Sequence, residues 1–162
     1  MSWLKIILIT IPVLAISVYF GLPRALNLLG LHPHYEIPEF DIAGKRVLII
    51  TTSQDTLGNT GKATGVFPSE MTVPYYAFLD ANMEVDIASI KGGEIPIEPR
   101  TWGWPLATES DYRFKDDTVA MAKLTNSIAV VDVDIIKYDA IFLSGGWGAA
   151  YDLPNPRNWP HW

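Results

Sequence analysis

Glu70 and the glycine pair Gly145-Gly146 are the residues of this chain best suited to chemistry. The line Ala140-Ile141-Phe142-Leu143-Ser144-Gly145-Gly146-Trp147-Gly148 reads as an apolar strand running into a glycine turn. Glycines there let a backbone approach a ligand closely, and N–H groups exposed by the turn can stabilise an oxyanion. The plainer reading is a turn that is glycine-rich for steric reasons alone. Glu70 falls in the first turn of a helix expected to begin near Pro68. A carboxylate there either complements the helix dipole or, at a ligand-binding edge, relays a proton. A dinucleotide fingerprint is excluded, because after Gly146 and Gly148 it needs Gly or Ala where Tyr151 stands. A Ser-His-Asp arrangement finds no support, since His161 is the only histidine after residue 44. His32, His34 and Glu36 crowd into a Pro-containing stretch with no third strong ligand nearby, so no metal site and no cofactor are expected. The 162 residues contain no cysteine, which removes disulfides, thiolate metal sites and any thiol nucleophile from them.

The elements that must position these groups follow from the apolar pattern. Val47-Leu48-Ile49-Ile50 is a short β-branched run suited to a strand buried on both faces. A polar, glycine-containing loop over 51–66 follows, with Gly58, Gly61 and Gly65. Met71, Pro74, Tyr75, Phe78 and Leu79 then repeat at helical spacing, and a second strand is expected over Glu84–Ser89. Residues 91–112 read as a long irregular excursion with an aromatic knot at Trp102-Gly103-Trp104-Pro105, packed down as a lid on the core. Asp116 and Asp117 are expected to open a helix reaching about Asn126. Ser127–Val133 is expected as a strand at an edge, and Tyr138–Leu143 reads as the clearest buried strand. Alternating strands and helices with apolar strand runs give an α/β fold with an open parallel sheet. Ligands of such sheets bind beyond the carboxyl ends of the strands, where the 58–65 loop, Glu70 and Gly145-Gly146 gather.

Ahead of this domain, residues 6–23 carry no charge and lie between Lys5 and Arg24. Eighteen residues are just enough to cross a bilayer core as a helix, with Trp3, Tyr19 and Phe20 near the interfaces. A cleavable signal peptide is the alternative, with Ala15-Ile16-Ser17 as its cleavage site, but the apolar run continues past it. The reading is therefore a single-pass membrane anchor over 1–24, a tether over 25–44 and an α/β domain over 45–162. Lys5 and the α-amino group against Arg24 place the domain on the extracytoplasmic side. A net charge of −6 excludes a nucleic-acid footprint, which needs clustered Lys and Arg.

Residues 45–153 resemble the ThiJ/PfpI superfamily, the class I glutamine amidotransferase-like fold, in its heat-shock chaperone and glyoxalase branch. The resemblance is carried by Lys45–Thr52, by Thr64-Gly65 through Glu70 to Pro74-Tyr75, and by Val85–Ser89 with Gly92-Gly93 and Pro96. It continues through Arg113-Phe114 with Asp117, and Tyr138–Gly148 with Tyr151-Asp152-Leu153. It implies a flavodoxin-like sandwich and a nucleophilic cysteine on a strand-to-helix elbow. Glu70 matches the family's helix glutamate, which contacts that cysteine, and Gly146 the second glycine, whose N–H faces the oxyanion site. Where the family often has His after the glycine pair, this chain has Trp147. Family members convert methylglyoxal to lactate without a cofactor, act as holding chaperones or hydrolyse peptides. The cysteine is expected one helix and one strand beyond Leu153, so the domain is expected to be incomplete at its C-terminus and inactive by itself. An uncovered sheet would favour a homo-oligomer, and a small carbonyl compound is the substrate the resemblance implies.

Overall fold

Val47, Leu48, Ile49 and Ile50 are all fully buried at the middle of β1 (Arg46–Thr51), as their unbroken apolar run requires. The other strands are β2 (Glu84–Ser89), β3 (Ile128–Ala129) and β4 (Ala140–Leu143), in the order β3-β2-β1-β4 and all parallel. Ile49 pairs with Ile87 on one side and Phe142 on the other. This computed structural model describes residues 3–31 and 40–160, and separates into units Met1–Phe40 and Asp41–Trp162. His32, His34, Glu36, His161 and Trp162 lie outside the described residues.

In the first unit, α1 (Trp3–Leu28) is one helix of 26 residues that runs on past Arg24, with Pro12 and Pro23 inside it. The second unit is an α/β sandwich of flavodoxin-like type. One face of the sheet is covered by α2 (Pro68–Asp80), α3 (Glu109–Asp116) and α4 (Thr118–Thr125). Their core joins Val47, Ile49, Met71, Tyr75, Ile87 and Phe114. Each such side chain contributes about 1.5–3 kcal/mol by leaving water. Leu48, Ile50, Ala88 and Val130 form the core on the opposite face, capped by Leu153 and Trp159. The chain beyond α5 (Ala149–Asp152) folds back there, with Trp159 Nε1 donating to the Leu153 carbonyl at 2.7 Å.

Several sequence expectations need correction. The excursion after β2 is shorter than expected, because Thr108 and Asp111 form a reciprocal capping box that starts α3 inside it. Asp111 is fully buried and also accepts a hydrogen bond from Thr72 at 2.6 Å, locking α3 to α2. Asp117 caps α4 by accepting from the Val119 and Ala120 N–H groups, whereas Asp116 is the last residue of α3. The strand expected over 127–133 is only two residues long, since Val130–Asp132 turns into a 3-10 helix. The strand that reads most clearly as buried, β4, lies instead at the sheet edge, leaving Ile141 45% and Leu143 54% exposed. In the aromatic knot Trp102 packs on Phe114 at 6.3 Å, but Trp104 points out to solvent.

At the amino ends of the strands Asp86 holds three elements together. It accepts from Arg46 at 3.0 Å, Lys123 at 2.9 Å and Tyr138 at 3.1 Å. Burial alone would raise its pKa, but the hydrogen bond from Lys123, with Tyr138 and Arg46, brings the carboxyl below its ordinary value. Burial and Asp86 together push the Tyr138 hydroxyl up to about 12. A carboxyl with a lowered folded pKa stabilises the fold above its unfolded pKa of about 3.9, and that stability is lost as pH falls through the folded value. The raised tyrosine stabilises below about pH 10, and this is lost as pH climbs towards 12. Urea unfolding across pH should therefore show a decline below about pH 4 that Asp86→Asn flattens, together with a loss of about 1–3 kcal/mol at pH 7. An unchanged acid limb in Asp86→Asn would contradict this assignment.

Candidate functional site

Three segments meet at the carboxyl ends of β1 and β4. Ser144 N–H donates to the Ile50 carbonyl at 2.9 Å, so the pairing of β1 with β4 continues one residue past the strand. The chain then turns at Gly145-Gly146, with Gly146 at φ +117°, a conformation glycine adopts freely and other residues rarely do. A side chain there would also meet the Phe67 nitrogen at 2.6 Å and the Gly65 carbonyl at 2.8 Å. The Gly148 N–H donates to that same Gly65 carbonyl at 3.2 Å. Gly65 in turn is pinned against Pro96, because Val66 N–H donates to the Pro96 carbonyl and Glu98 N–H to Val66, both at 2.9 Å.

Asp152 of α5 secures the other side. It is buried, and it accepts from Thr52 Oγ1 at 2.8 Å and from the Ser53 N–H at 2.7 Å. The glycine turn is thus fixed from β1, from the loop before α2 and from α5.

Glu70 is brought to this turn. It stands in the first turn of α2, whose N-terminus carries Pro68 and no side-chain cap. Any Cβ on Gly145 would overlap Glu70 Oε2, so the carboxylate lies directly against the glycine backbone. Its carboxylate takes part in no hydrogen bond or ion pair among the described residues, and the Gly146 N–H likewise has no acceptor there. Phe67, Glu70, Gly146, Trp147 and Ala150 line one shallow depression of about 220 Å³. Glu70 and Gly146 thus line one small space, and a carboxylate and a backbone donor so placed can together hold a proton beside a developing oxyanion. Trp147 is 66% exposed at its rim. Among the described residues no group of His, Asp and Glu could hold a metal ion.

Sequence reasoning overlooked two neighbours. Thr51 and Ser144 are fully buried, and their hydroxyls have no hydrogen-bond partner among the described residues. They follow Ile50 and Leu143, which are paired across β1 and β4, and so lie side by side under the glycine turn. Two hydroxyls ending adjacent strands were readable in the sequence; their lack of partners was not.

No protein-family model matches the chain. Among curated proteins, the protein/nucleic acid deglycase HchA of Pseudomonas aeruginosa is 31% identical over 121 residues, covering 70% of this chain and 41% of its own length. Glyoxalase 3 of Candida albicans is 28% identical over 123 residues, covering 70% of this chain and 49% of the relative. Among solved structures, the Rapid Encystment Protein 24 kDa of Francisella tularensis matches with a TM-score of 0.65 and 42% identity, over 70% of this chain and 50% of that one. The chain therefore spans about half the length of the curated relatives it matches.

Proposed function

Because the chain belongs to the ThiJ/PfpI superfamily, we propose that its α/β unit supplies one half of a glyoxalase-like site for a small reactive carbonyl compound. The observation that carries this reading is the Glu70 carboxylate resting against Gly145 beside the uncommitted Gly146 N–H. In this reading Glu70 holds and moves the proton, and the Gly146 N–H stabilises the oxyanion of the attacked carbonyl. The family's chemistry also needs a thiolate, and the 162 residues contain none. The nucleophile has to come from outside them, and these residues alone do not turn substrate over. Conversion of methylglyoxal by the chain, compared with Glu70→Ala, tests this.

A second reading is supported by the open edge of β4. Ile141 and Leu143 are exposed on a strand with neither Pro nor Lys to protect it, as in a module that pairs with another polypeptide. That module would bind or chaperone without catalysis, or associate with a second copy of itself. Indifference of all carbonyl chemistry to Glu70 would favour it.

We read α1 as an uncleaved single-pass anchor with the α/β unit on the extracytoplasmic side. Support comes from a stretch of 22 residues, Ile7–Leu28, with a mean hydropathy of 1.8. The protein is expected to stay in the membrane fraction through alkaline carbonate washing. A soluble product beginning near Val18 would instead identify a cleaved signal peptide.

A further inference from the structure

Most of the cations of the α/β unit are engaged. Lys45, Arg46, Arg113, Lys123 and Lys137 form ion pairs. Lys115 bonds the Trp102 carbonyl and Arg157 reaches Asn155. Lys62, Lys91 and Arg100 have no side-chain partner among the described residues. All three follow the carboxyl ends of β1 or β2, in a chain whose net charge is −6.

Two of the three share a cavity. Lys62 and Arg100 line a space of about 560 Å³ with Ala63, Glu98 and Pro99. The loop carrying Lys62 is bridged to the loop carrying Arg100 by the Val66–Ile97 pairing. The carboxylate at this cavity belongs to Glu98, and it accepts from Thr64 Oγ1 at 2.6 Å. Arg100 sits in a turn closed by the Thr101 N–H and the Glu98 carbonyl, at φ +67°. In such a turn after Pro99 this third position normally falls to glycine. An arginine held there carries backbone strain, a cost associated with functional positions.

We propose that this cavity binds the phosphoryl group of a small soluble phosphomonoester. A dianion matches two cations lining one cavity better than a monocarboxylate does, and a planar guanidinium such as that of Arg100 can grip two phosphate oxygens at once. The size of the cavity fits a small metabolite. This inference does not rest on the carbonyl reading, and its test involves no turnover.

The test is a titration of the full chain, in non-ionic detergent micelles at low ionic strength, followed by phosphorus NMR. Inorganic phosphate and glycerol 3-phosphate are the probes, and acetate is the competing monoanion. Binding with a Kd of about 1 mM is expected. Lys62→Glu and Arg100→Gly should each weaken it at least about ten-fold, with acetate at least about ten-fold weaker than phosphate. Arg100→Gly should leave Tm unchanged or raise it, because glycine tolerates the positive φ. The proposal is overturned if neither variant changes phosphate binding, or if acetate binds equally well. It is also overturned if Arg100→Gly loses binding only together with a lower Tm while Lys62→Glu binds normally.

Discussion

Purified in thiol-free buffer, the 162-residue chain should convert no measurable methylglyoxal to lactate. On the function we propose, Glu70 and the Gly146 N–H would supply a proton carrier and an oxyanion donor. What the chain lacks is the group that forms the covalent bond, since it contains no cysteine. Removing a nucleophile from hydrolases that depend on one lowers turnover by about 10⁶-fold, and the other groups recover little of this. Against glyoxalase 3 of Candida albicans, to which it is 28% identical, the chain should therefore fall short by at least about 10⁴-fold. Lactate formation well above that of Glu70→Ala would show that another group in these residues acts as nucleophile.

Gly65→Ala should disrupt the fold more than any other single methyl group added near the site. The added carbon would overlap the Pro96 carbonyl and approach the Ile97 nitrogen at 2.7 Å, both of them backbone atoms. Backbone held by hydrogen bonds on both sides cannot yield cheaply. A loss above about 3 kcal/mol is expected, a large part of the roughly 5–15 kcal/mol typical of a domain. Gly145→Ala is the matching contrast, because its added carbon would meet only the end of the Glu70 side chain. That end can rotate away, so stability should change by less than about 0.5 kcal/mol while the carboxylate leaves the glycine turn. Urea unfolding of both variants separates the two effects; equal losses would mean that the turn and the loop before α2 are not packed as described.

How much of this was legible in the sequence depended on whether the signal was local. β1, β2 and the start of α2 were readable because an apolar run, or a proline at a first helical turn, states its own structure. α3 was hidden by its composition, since Glu109–Asp116 offers mostly polar residues, and only the Thr108–Asp111 capping pair announces it. β4 misled for the opposite reason. Ala-Ile-Phe-Leu is apolar on both faces, which sequence alone cannot distinguish from a central strand, and pairing on one side only leaves it at the edge. The sheet edge holding Glu70 and Gly145-Gly146 was legible from connectivity. Their direct contact depends on α2 crossing the β1–β4 pair, and no local pattern encodes it. The shared cavity of Lys62 and Arg100 rests on a bridge between two loops 31 residues apart, Val66 to Ile97, and was invisible before folding.

We propose that Glu70 at the glycine turn forms the working half of a thiol-dependent carbonyl site. The most direct test is a chimera in which residues 41–153 replace the matched part of Candida albicans glyoxalase 3, of which the chain covers 49%. Lactate formation from methylglyoxal is the readout. The chimera is expected to turn over, and Glu70→Gln to lower kcat at least about 100-fold, the range in which a positioned acid–base group contributes. A folded chimera that forms no lactate, or one whose rate does not depend on Glu70, would contradict the proposal.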